Sequence, residues 1–331
     1  MDGCTLTIAD DLNDGRGIKI VDEDVTEPTL TKLEVSNTAF DTDSKAAVLV
    51  GSKAGAEITW GEGNNIELVA EDKVNAVWID EDYASYDYLV TVSGCTKVIE
   101  GYPAGVSIAN ANGDINLSTA EAMVWFAKQV NESSKTFSGK TIKLTADIDL
   151  KNELWTPIGQ TYATQFKGTF DGANKTISNL NIDARSDTRE HYSSGIFGWL
   201  NAATVKNIKV STATVKGNHN VGVIAGYLET SGCTVENCHV TGAKVECHVA
   251  NADANGDKAA VIVGHAGNTG VVVKDCTAKD STVSAGRDAG QVVGAGKTVN
   301  VTGCSATNVT VTANGEGTGA NIRNEVIGRI L

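Results

Sequence analysis

Four short stretches of this chain follow one pattern: TVKNIKVSTATV (204–215), TVENCHVTGAKV (234–245), VVKDCTAKDSTV (272–283) and NVTGCSATNVTV (300–311). Valine, isoleucine and threonine in short alternating runs, interrupted by glycine and asparagine, predict β-strands and turns. A unit of about 30 residues cannot bury its own apolar face, so consecutive units must stack. Equivalent strands then pair about 4.8 Å apart. The pattern therefore predicts an all-β protein built as a parallel β-helix, or solenoid.

Within this pattern, one apolar position recurs at spacings of 28, 30, 38 and 28 residues, as Leu180, Ile208, Cys238, Cys276 and Cys304. We expect these side chains to form an internal ladder, in which the cysteines are buried free thiols rather than disulfides or metal ligands. The preceding position predicts a ladder of turns, because Asn and Asp tolerate left-handed backbone; it is occupied by Asn179, Asn207, Asn237, Asp275 and Gly303. A further set of glycines closes short apolar runs and is interpreted as tight corners: Gly198, Gly226, Gly264 and Gly294.

The first third of the chain is acidic and has a fainter repeat. Residues 1–117 carry 22 acidic and 7 basic side chains, whereas residues 118–331 carry 19 and 20. The runs GIKI (17–20), AVLV (47–50) and AVWI (76–79) are spaced by 30 and 29 residues and predict a second solenoid-like segment. We expect three regions: this segment at 1–100, a linker and helix at 101–138, and the main β-helix at 139–331.

Acidic runs follow two of these equivalent strands, VDEDVTE (21–27) and IDEDY (79–83). Stacked carboxylates repel each other, so a Ca²⁺ ion between the two turns is physically sensible. The calcium nonapeptide pattern is missing, and a solvated acidic face is the simpler interpretation. We assign no cofactor and no metal-ligating residue, and keep Ca²⁺ near 21–27 and 79–83 as a candidate.

A single short α-helix is predicted between the repeats. Ser118 and Glu121 have the spacing of a capping box. An apolar face follows, formed by Ala122, Met123, Trp125, Phe126 and Val130. We expect this helix to cover the open end of the solenoid, since an uncovered edge promotes association.

Part of the chain resembles a known family. The stretches TIKLTADIDLKNELWTPIG (141–159), FKGTFDGANKTISNLNI (166–182) and GIFGWL (195–200) are similar to those of the GLUG-repeat proteins, which are large, adhesin-like bacterial surface proteins. The resemblance covers roughly residues 116–331. It implies a right-handed parallel β-helix and an extracellular or cell-surface setting, and it supplies no catalytic residues.

Paired carboxylates near His or Arg would be needed if this β-helix cleaved polysaccharides. Three pairs are available, Asp10–Asp11 near Arg16 and Lys19, Asp41 and Asp43 after Asn37, and Asp147 with Asp149. They do not follow the polygalacturonase-like order of motifs, of which only RGIK (16–19) has a counterpart. The histidines lack His-x-x-x-His spacing, and His219 and His239 are expected on loops or the outer face; the five are His191, His219, His239, His248 and His265. We assign no catalytic residue.

These observations favour a non-catalytic surface protein that binds a glycan or a host or matrix protein, as a monomer or within a larger surface assembly. The candidate contact loops are 161–165, 184–194 and 248–258. The acidic balance argues against nucleic acid as a partner, and no apolar run approaches the ~20 residues of a membrane span. The start at Met1 lacks export-signal features, so it is either a native start or one from which a signal was removed. The alternatives are a polysaccharide lyase or hydrolase and a phage attachment component.

Overall fold

The computed structural model describes residues 5–7, 18–21, 30–36, 39–42, 47–62, 65–68, 77–95, 97–133, 135–186, 192–248, 258–313 and 321–330. The chain divides into two compact units, Met1–Asn116 and Leu117–Leu331. In both units each strand pairs in parallel with the equivalent strand of the next turn. The predicted parallel β-helix architecture is therefore confirmed.

In the first unit, three parallel sheets follow the chain. One contains Ile18–Val21, Val48–Gly51, Val77–Ile79 and Lys97–Ile99. A second contains Thr31–Val35, Ala56–Trp60 and Val90–Ser93. A third contains Thr5–Thr7, Ala39–Thr42 and Asn65–Leu68. The chain continues through a 3-10 helix at Glu81–Leu89 and strands at Val106–Ile108 and Ile115–Leu117.

The faint repeat sets the register of this first unit. Ile18 pairs with Val48, and Val48 pairs with Val77, at the same position in each of the three apolar runs. Their neighbours Ile20, Val50 and Ile79 belong to one buried cluster. The acidic unit thus has an apolar core of its own.

The second unit has four parallel sheets, named here A to D. Sheet A contains Thr141–Leu144, Thr169–Asp171, Thr204–Lys206, Thr234–Glu236, Val272–Lys274 and Asn300–Thr302. Sheet B contains Ile148–Asp149, Thr176–Asp183, Lys209–Gly217, His239–Cys247, Thr277–Ala285 and Ser305–Ala313. Sheet C contains Ser193–Ser194, Asn220–Val221, Lys258–Ala259, Asp288–Ala289 and Asn321–Ile322. Sheet D contains Phe197–Leu200, Ala225–Leu228, Val263–Ala266, Val293–Gly296 and Ile327–Ile330.

The predicted apolar ladder is correct in four of its five members. His239 N donates to Ile208 O, Thr277 N to Cys238 O and Ser305 N to Cys276 O, at 2.8–3.0 Å, so Ile208, Cys238, Cys276 and Cys304 stack. The prediction is wrong for the first member, since Leu180 pairs with Ala213.

The reason for this error is the length of the first turn. Phe170 pairs with Val205, and Thr176 pairs with Lys209. Between these two pairs, the earlier turn therefore spans two more residues than the later one. Ala173 and Asn174 both adopt positive φ there, 49° and 60°.

The cysteines behave largely as expected for core residues. The free thiols of Cys233, Cys238, Cys247 and Cys276 are buried, whereas Cys95 and Cys304 are half-buried; Cys4 lies outside the described residues. The Cys276 thiol donates to Lys274 O at 3.2 Å. Its pKa is raised by its hydrogen bond to the Cys238 thiol and by burial, which keeps the group protonated and inert.

Two ladders of left-handed residues run along sheets A and B. The predicted one contains Asn207, Asn237, Asp275 and Gly303, with φ of 57°, 50°, 54° and 64°. Asn237 Nδ2 donates to Asn207 Oδ1 at 2.8 Å, so side-chain amides join the turns. Asn179 belongs instead to the second ladder, with Thr212, Gly242, Asp280 and Asn308, at φ between 48° and 72°.

The recurrent glycines are not corners, as predicted, but lie inside or at the edge of the strands of sheet D. At Gly264 a Cβ atom would stand 2.5 Å from Val221 N, and at Gly294 it would stand 2.5 Å from Gly264 O. These are distances that real Cβ atoms do not reach, so the backbones of sheets C and D can approach closely only because side chains are absent. The glycines are selected for space rather than for backbone freedom.

An α-helix, Ala120–Asn131, opens the second unit, and a 3-10 turn at Tyr162–Thr164 follows later. The N-cap of the helix is Thr119, whose Oγ1 accepts from Ala122 N at 3.1 Å, so the predicted cap at Ser118 is wrong by one residue. Phe126 is fully buried. Its ring lies 5.9 and 6.2 Å from those of Phe166 and Phe170, so the helix covers the first turn of the solenoid. Among the described residues, no helix is long and apolar enough to cross a bilayer.

Candidate functional site

Two hollows on the second unit share the segment Leu154–Thr156, and together we call them the Trp155 groove. The first, of about 190 Å³, has helix residues in its wall and is lined by Val124, Ala127, Lys128, Asn131, Glu132, Leu154, Trp155, Thr156 and Gln160. The second, of about 430 Å³, is lined by Leu154, Trp155, Thr156, Ile182, Asp183, Ala184, Ser186 and Tyr192. Together they have the size of a small-molecule site.

The shared segment is held by its own turn and by neighbouring strands. Lys151 and Asn152 adopt φ of 53° and 61°, and Asp149 Oδ1 accepts from Lys151 N at 2.8 Å. After this turn Trp155 N donates to Asn181 O at 2.8 Å, while its Nε1 donates to Ile196 O at 3.2 Å. Trp155 is thereby fixed at 6% exposure, whereas Leu154 projects with 72% exposure.

Asn131 joins the capping helix to the groove. Its Nδ2 donates to Pro157 O at 2.9 Å, and its Oδ1 accepts from Gly159 N and Gln160 N at 2.9 and 3.2 Å. The amide is therefore a support for the groove wall. Lys128, Glu132 and Gln160 supply the remaining polar groups of the first hollow.

A bidentate ion pair lies at the opposite wall. Arg185 Nε and Nη2 donate to Asp183 Oδ1 and Oδ2 at 2.8 and 2.5 Å. These hydrogen bonds lower the pKa of Asp183. The carboxylate therefore stays charged, and its Arg185 partner restrains the rim.

Of the three predicted contact loops, residues 184–194 contribute Ala184, Ser186 and Tyr192 to the second hollow, while 187–191 lie outside the described residues. The loop at 161–165 carries Tyr162, which is 66% exposed and whose ring stands 5.9 Å from that of Trp199. The loop at 248–258 is described only at its two ends.

The carboxylates considered for catalysis serve the backbone where the structure describes them. Asp147 Oδ1 accepts from Thr176 N at 2.8 Å, and Asp149 accepts from Lys151 N and from Asn179 Nδ2, both at 2.8 Å. These hydrogen bonds lower the pKa of Asp149. Asp10, Asp11, Arg16, Asn37 and Asp43 lie outside the described residues, as does the side chain of Asp41.

The histidines occupy separate places. His239 is half-buried, with its ring nitrogens 2.9 Å from Thr277 Oγ1 and 2.8 Å from Asn237 Oδ1. His248 Nε2 lies 3.8 Å from Glu246 Oε2, and His219 O accepts from Lys258 N. The ring of His265 stands 4.9 Å from that of Tyr227. His191 lies outside the described residues.

The acidic turn at 79–83 starts the 3-10 helix of the first unit. Asp80 caps it, with Oδ1 accepting from Asp82 N at 3.0 Å, and Glu81 and Asp82 are exposed. Of the other acidic run only Val21 is described, so calcium binding between these turns stays a prediction. Within the described ranges, no group of three His, Cys, Asp or Glu side chains converges as metal ligands do.

Sequence reasoning missed a row of buried polar residues in sheet C, which we call the Lys258 row: Ser193, Asn220, Lys258 and Asp288. Their exposures are 0%, 6%, 4% and 0%. The pKa of Lys258 is lowered by burial, against the opposing effect of the Asp288 carboxylate. Arg329 and Arg287 approach Asp288 Oδ2 to 3.3 and 4.0 Å. Each member of the row stands six residues before a sheet D glycine, or five in the case of Ser193, and this fixed offset is the signal that could have revealed it.

The chain is similar to known proteins in three respects. Residues 217–246 match the model of the GLUG motif. A stretch of 127 residues is 35% identical to Halomucin of Haloquadratum walsbyi, covering 34% of this chain and 1% of Halomucin. A crystal structure of a candidate immunoglobulin A1 protease from Bacteroides ovatus matches with 15% identity and a TM-score of 0.41, over 62% of this chain and 79% of that one. The chain spans only a small part of Halomucin, and the resemblance to GLUG-repeat proteins is confirmed by the motif that it carries at 217–246.

Proposed function

We propose that this chain is a non-catalytic binding segment of an extracellular or cell-surface, adhesin-like protein, and that the Trp155 groove binds a glycan. The observation that carries the proposal is the position of Leu154. This large apolar side chain is 72% exposed on the segment that both hollows share. Exposed apolar groups beside concave surfaces are typical of binding sites.

The chemistry of the groove suits the rings of a sugar chain. Sugars have apolar C–H faces and a periphery of hydroxyl groups. In the groove, Leu154, Trp155 and Tyr192 offer apolar surface, while Gln160 and Asp183 offer polar groups nearby. Aromatic side chains with a polar tip serve both requirements.

The distribution of carboxylates favours binding over cleavage. Glycoside hydrolysis uses a pair of carboxyl groups that flank the scissile bond. Each hollow has one carboxylate among its described lining residues, Glu132 in the first and Asp183 in the second. Asp183 is also engaged by Arg185.

The surface location rests on similarity. The GLUG motif and the similarity to Halomucin support an adhesin-like surface role, with the chain acting alone or within a larger assembly. A solenoid displays its loops at fixed intervals on a rigid body, which suits repeated contact with an external partner.

A glycan array tests the proposal, using the full chain, Leu154→Ala and Leu30→Ala. Both leucines are exposed, but only Leu154 lines the groove. We expect the full chain and Leu30→Ala to bind the same glycans and Leu154→Ala to bind them at least several-fold more weakly. Equal binding by both variants, or binding to matrix proteins alone, would refute the assignment. New reducing ends or unsaturated products from the bound glycan would show a polysaccharide-acting enzyme instead.

A further inference from the structure

The Lys258 row brings a primary amine between a carboxamide and a carboxylate inside the solenoid. Lys258 pairs with Asn220 on one side and with Asp288 on the other, in parallel strands. Residues paired in this way have side chains on the same face of the sheet, about 4.8 Å apart at the backbone. All three are buried, with exposures of 6% or less.

The amide of Asn220 is held in one orientation. Its Nδ2 donates to Ser193 Oγ at 3.1 Å, on the side away from Lys258 in the order of strands. Its Oδ1 is buried and has no hydrogen-bond partner among the described residues. A buried acceptor without a partner costs about 1–3 kcal/mol, so this placement has no benefit for folding alone.

The surroundings favour a nucleophilic amine. Burial lowers the pKa of Lys258, and a desolvated lysine is a competent nucleophile. Arg329 and Arg287 keep Asp288 charged from the other side. A charged carboxylate next to the ammonium is able to accept its proton.

We propose that Lys258 and Asn220 form an intramolecular isopeptide bond. The Lys258 ammonium passes a proton to Asp288, and the Nζ lone pair attacks Asn220 Cγ. The new Cγ–Nζ bond forms as the bond from Cγ to Nδ2 breaks. The departing nitrogen takes one proton from Nζ and the proton held by Asp288, and leaves as ammonium. Asp288 returns to its carboxylate form, and no oxidant or cofactor is consumed.

The product would tie two successive turns of the solenoid together by a covalent link that does not depend on redox conditions. The link closes a loop between positions 220 and 258, which contains the whole of the long third interval of the repeat. Closing such a loop removes conformational freedom from the unfolded chain. The inference does not depend on what the Trp155 groove binds.

Denaturing mass spectrometry of the intact full chain tests the proposal. We expect a mass that is lower than the sequence mass by one molecule of ammonia. After trypsin digestion, fragment 217–244 should be joined to fragment 245–274, with no cleavage after Lys258. Lys258→Arg and Asn220→Ala should each restore the sequence mass. Asn308→Ala, which changes an exposed turn asparagine, should keep the loss of ammonia.

Three results would overturn it. The first is the unmodified sequence mass in the full chain. The second is a loss of ammonia without joined fragments, which would indicate ring closure at an asparagine. The third is a loss of water with Lys258 joined to the fragment that contains Asp288, which would make Asp288 the reacting partner. The primary measurement uses the unaltered chain, so it does not depend on whether the variants fold.

Discussion

Replacing Gly264 by alanine tests whether the sheet D glycines are selected for space. The Cβ atom would stand 2.5 Å from Val221 N, 2.8 Å from Gly226 O and 2.9 Å from Asn220 C. All three are carbon, nitrogen or oxygen atoms of the backbone, which no rotamer change can move. Ordinary contact begins at 3.4 Å, so neighbouring strands must move apart by about 1 Å.

Overpacking of this kind costs about 1–3 kcal/mol, and a backbone clash belongs at the upper end. For a unit of this size, 1 kcal/mol corresponds to roughly 2–4 °C in Tm. We therefore expect Gly264→Ala to lower Tm by about 6–12 °C. Urea titration should show a matching fall in the free energy of unfolding.

Gly139 provides the matched control. It has φ of 73°, and a Cβ atom added there would meet no other atom within 4 Å, so Gly139→Ala should cost only the roughly 1–2 kcal/mol of left-handed backbone. Asparagine tolerates that conformation, so Gly139→Asn should recover most of the loss, whereas Gly264→Asn should be at least as damaging as Gly264→Ala. A Gly264→Ala chain as stable as the parent would refute the spatial argument.

Three further predictions concern the core and its titrating groups. Phe126→Ala should lower the free energy of unfolding by about 3–5 kcal/mol in urea titration, because its fully buried ring contacts three other phenylalanines; a loss below 1 kcal/mol would contradict the capping role of the helix. Burial raises the pKa of Cys95 to about 11, so its alkylation, followed by peptide mapping, should accelerate about tenfold per pH unit below that value. Burial also lowers the pKa of His265 to about 3, while the unfolded chain titrates near 6.5; the unfolded chain then binds the extra proton, and stability falls as the pH drops from about 6.5 towards 3. His265→Gln should flatten that dependence in urea titrations across this range, and an unchanged slope would count against it.

The β-helix could be predicted because stacking repeats a small set of requirements in every turn. Ile208, Cys238 and Cys276 differ in chemistry but share size and burial, and their ladder follows from spacing alone. The turn asparagines Asn207 and Asn237 were likewise predictable, since left-handed backbone restricts the choice of residue.

The register of the first turn was not predictable from apolar spacing. Ile177, Leu180 and Ile182 have intervals of three and two residues, but so do Val205, Ile208 and Val210, and also Val210, Ala213 and Val215. The same interval thus occurs twice within one turn. The structure selects the second match, because the longer turn at Ala173 and Asn174 shifts the strand.

The groove escaped prediction for a different reason. Leu154 and Trp155 lie next to each other in a stretch that already had an explanation as the opening segment of the GLUG-like region. Their opposite fates, 72% and 6% exposure, depend on the left-handed pair Lys151 and Asn152 and on contacts to Asn181 and Ile196. Contacts so distant in sequence leave no local pattern.

The Lys258 row shows how a solenoid accommodates polar groups that the cysteine and asparagine ladders cannot. A buried ladder of identical charges would repel at every step. The row instead changes chemistry from turn to turn, so that Asn220 donates to Ser193 and the charge of Lys258 meets that of Asp288. Each member is therefore chosen by its neighbours in the stack rather than by its own turn. Such a row has no repeated residue type, and it can be detected only through its constant offset from glycines such as Gly264 and Gly294.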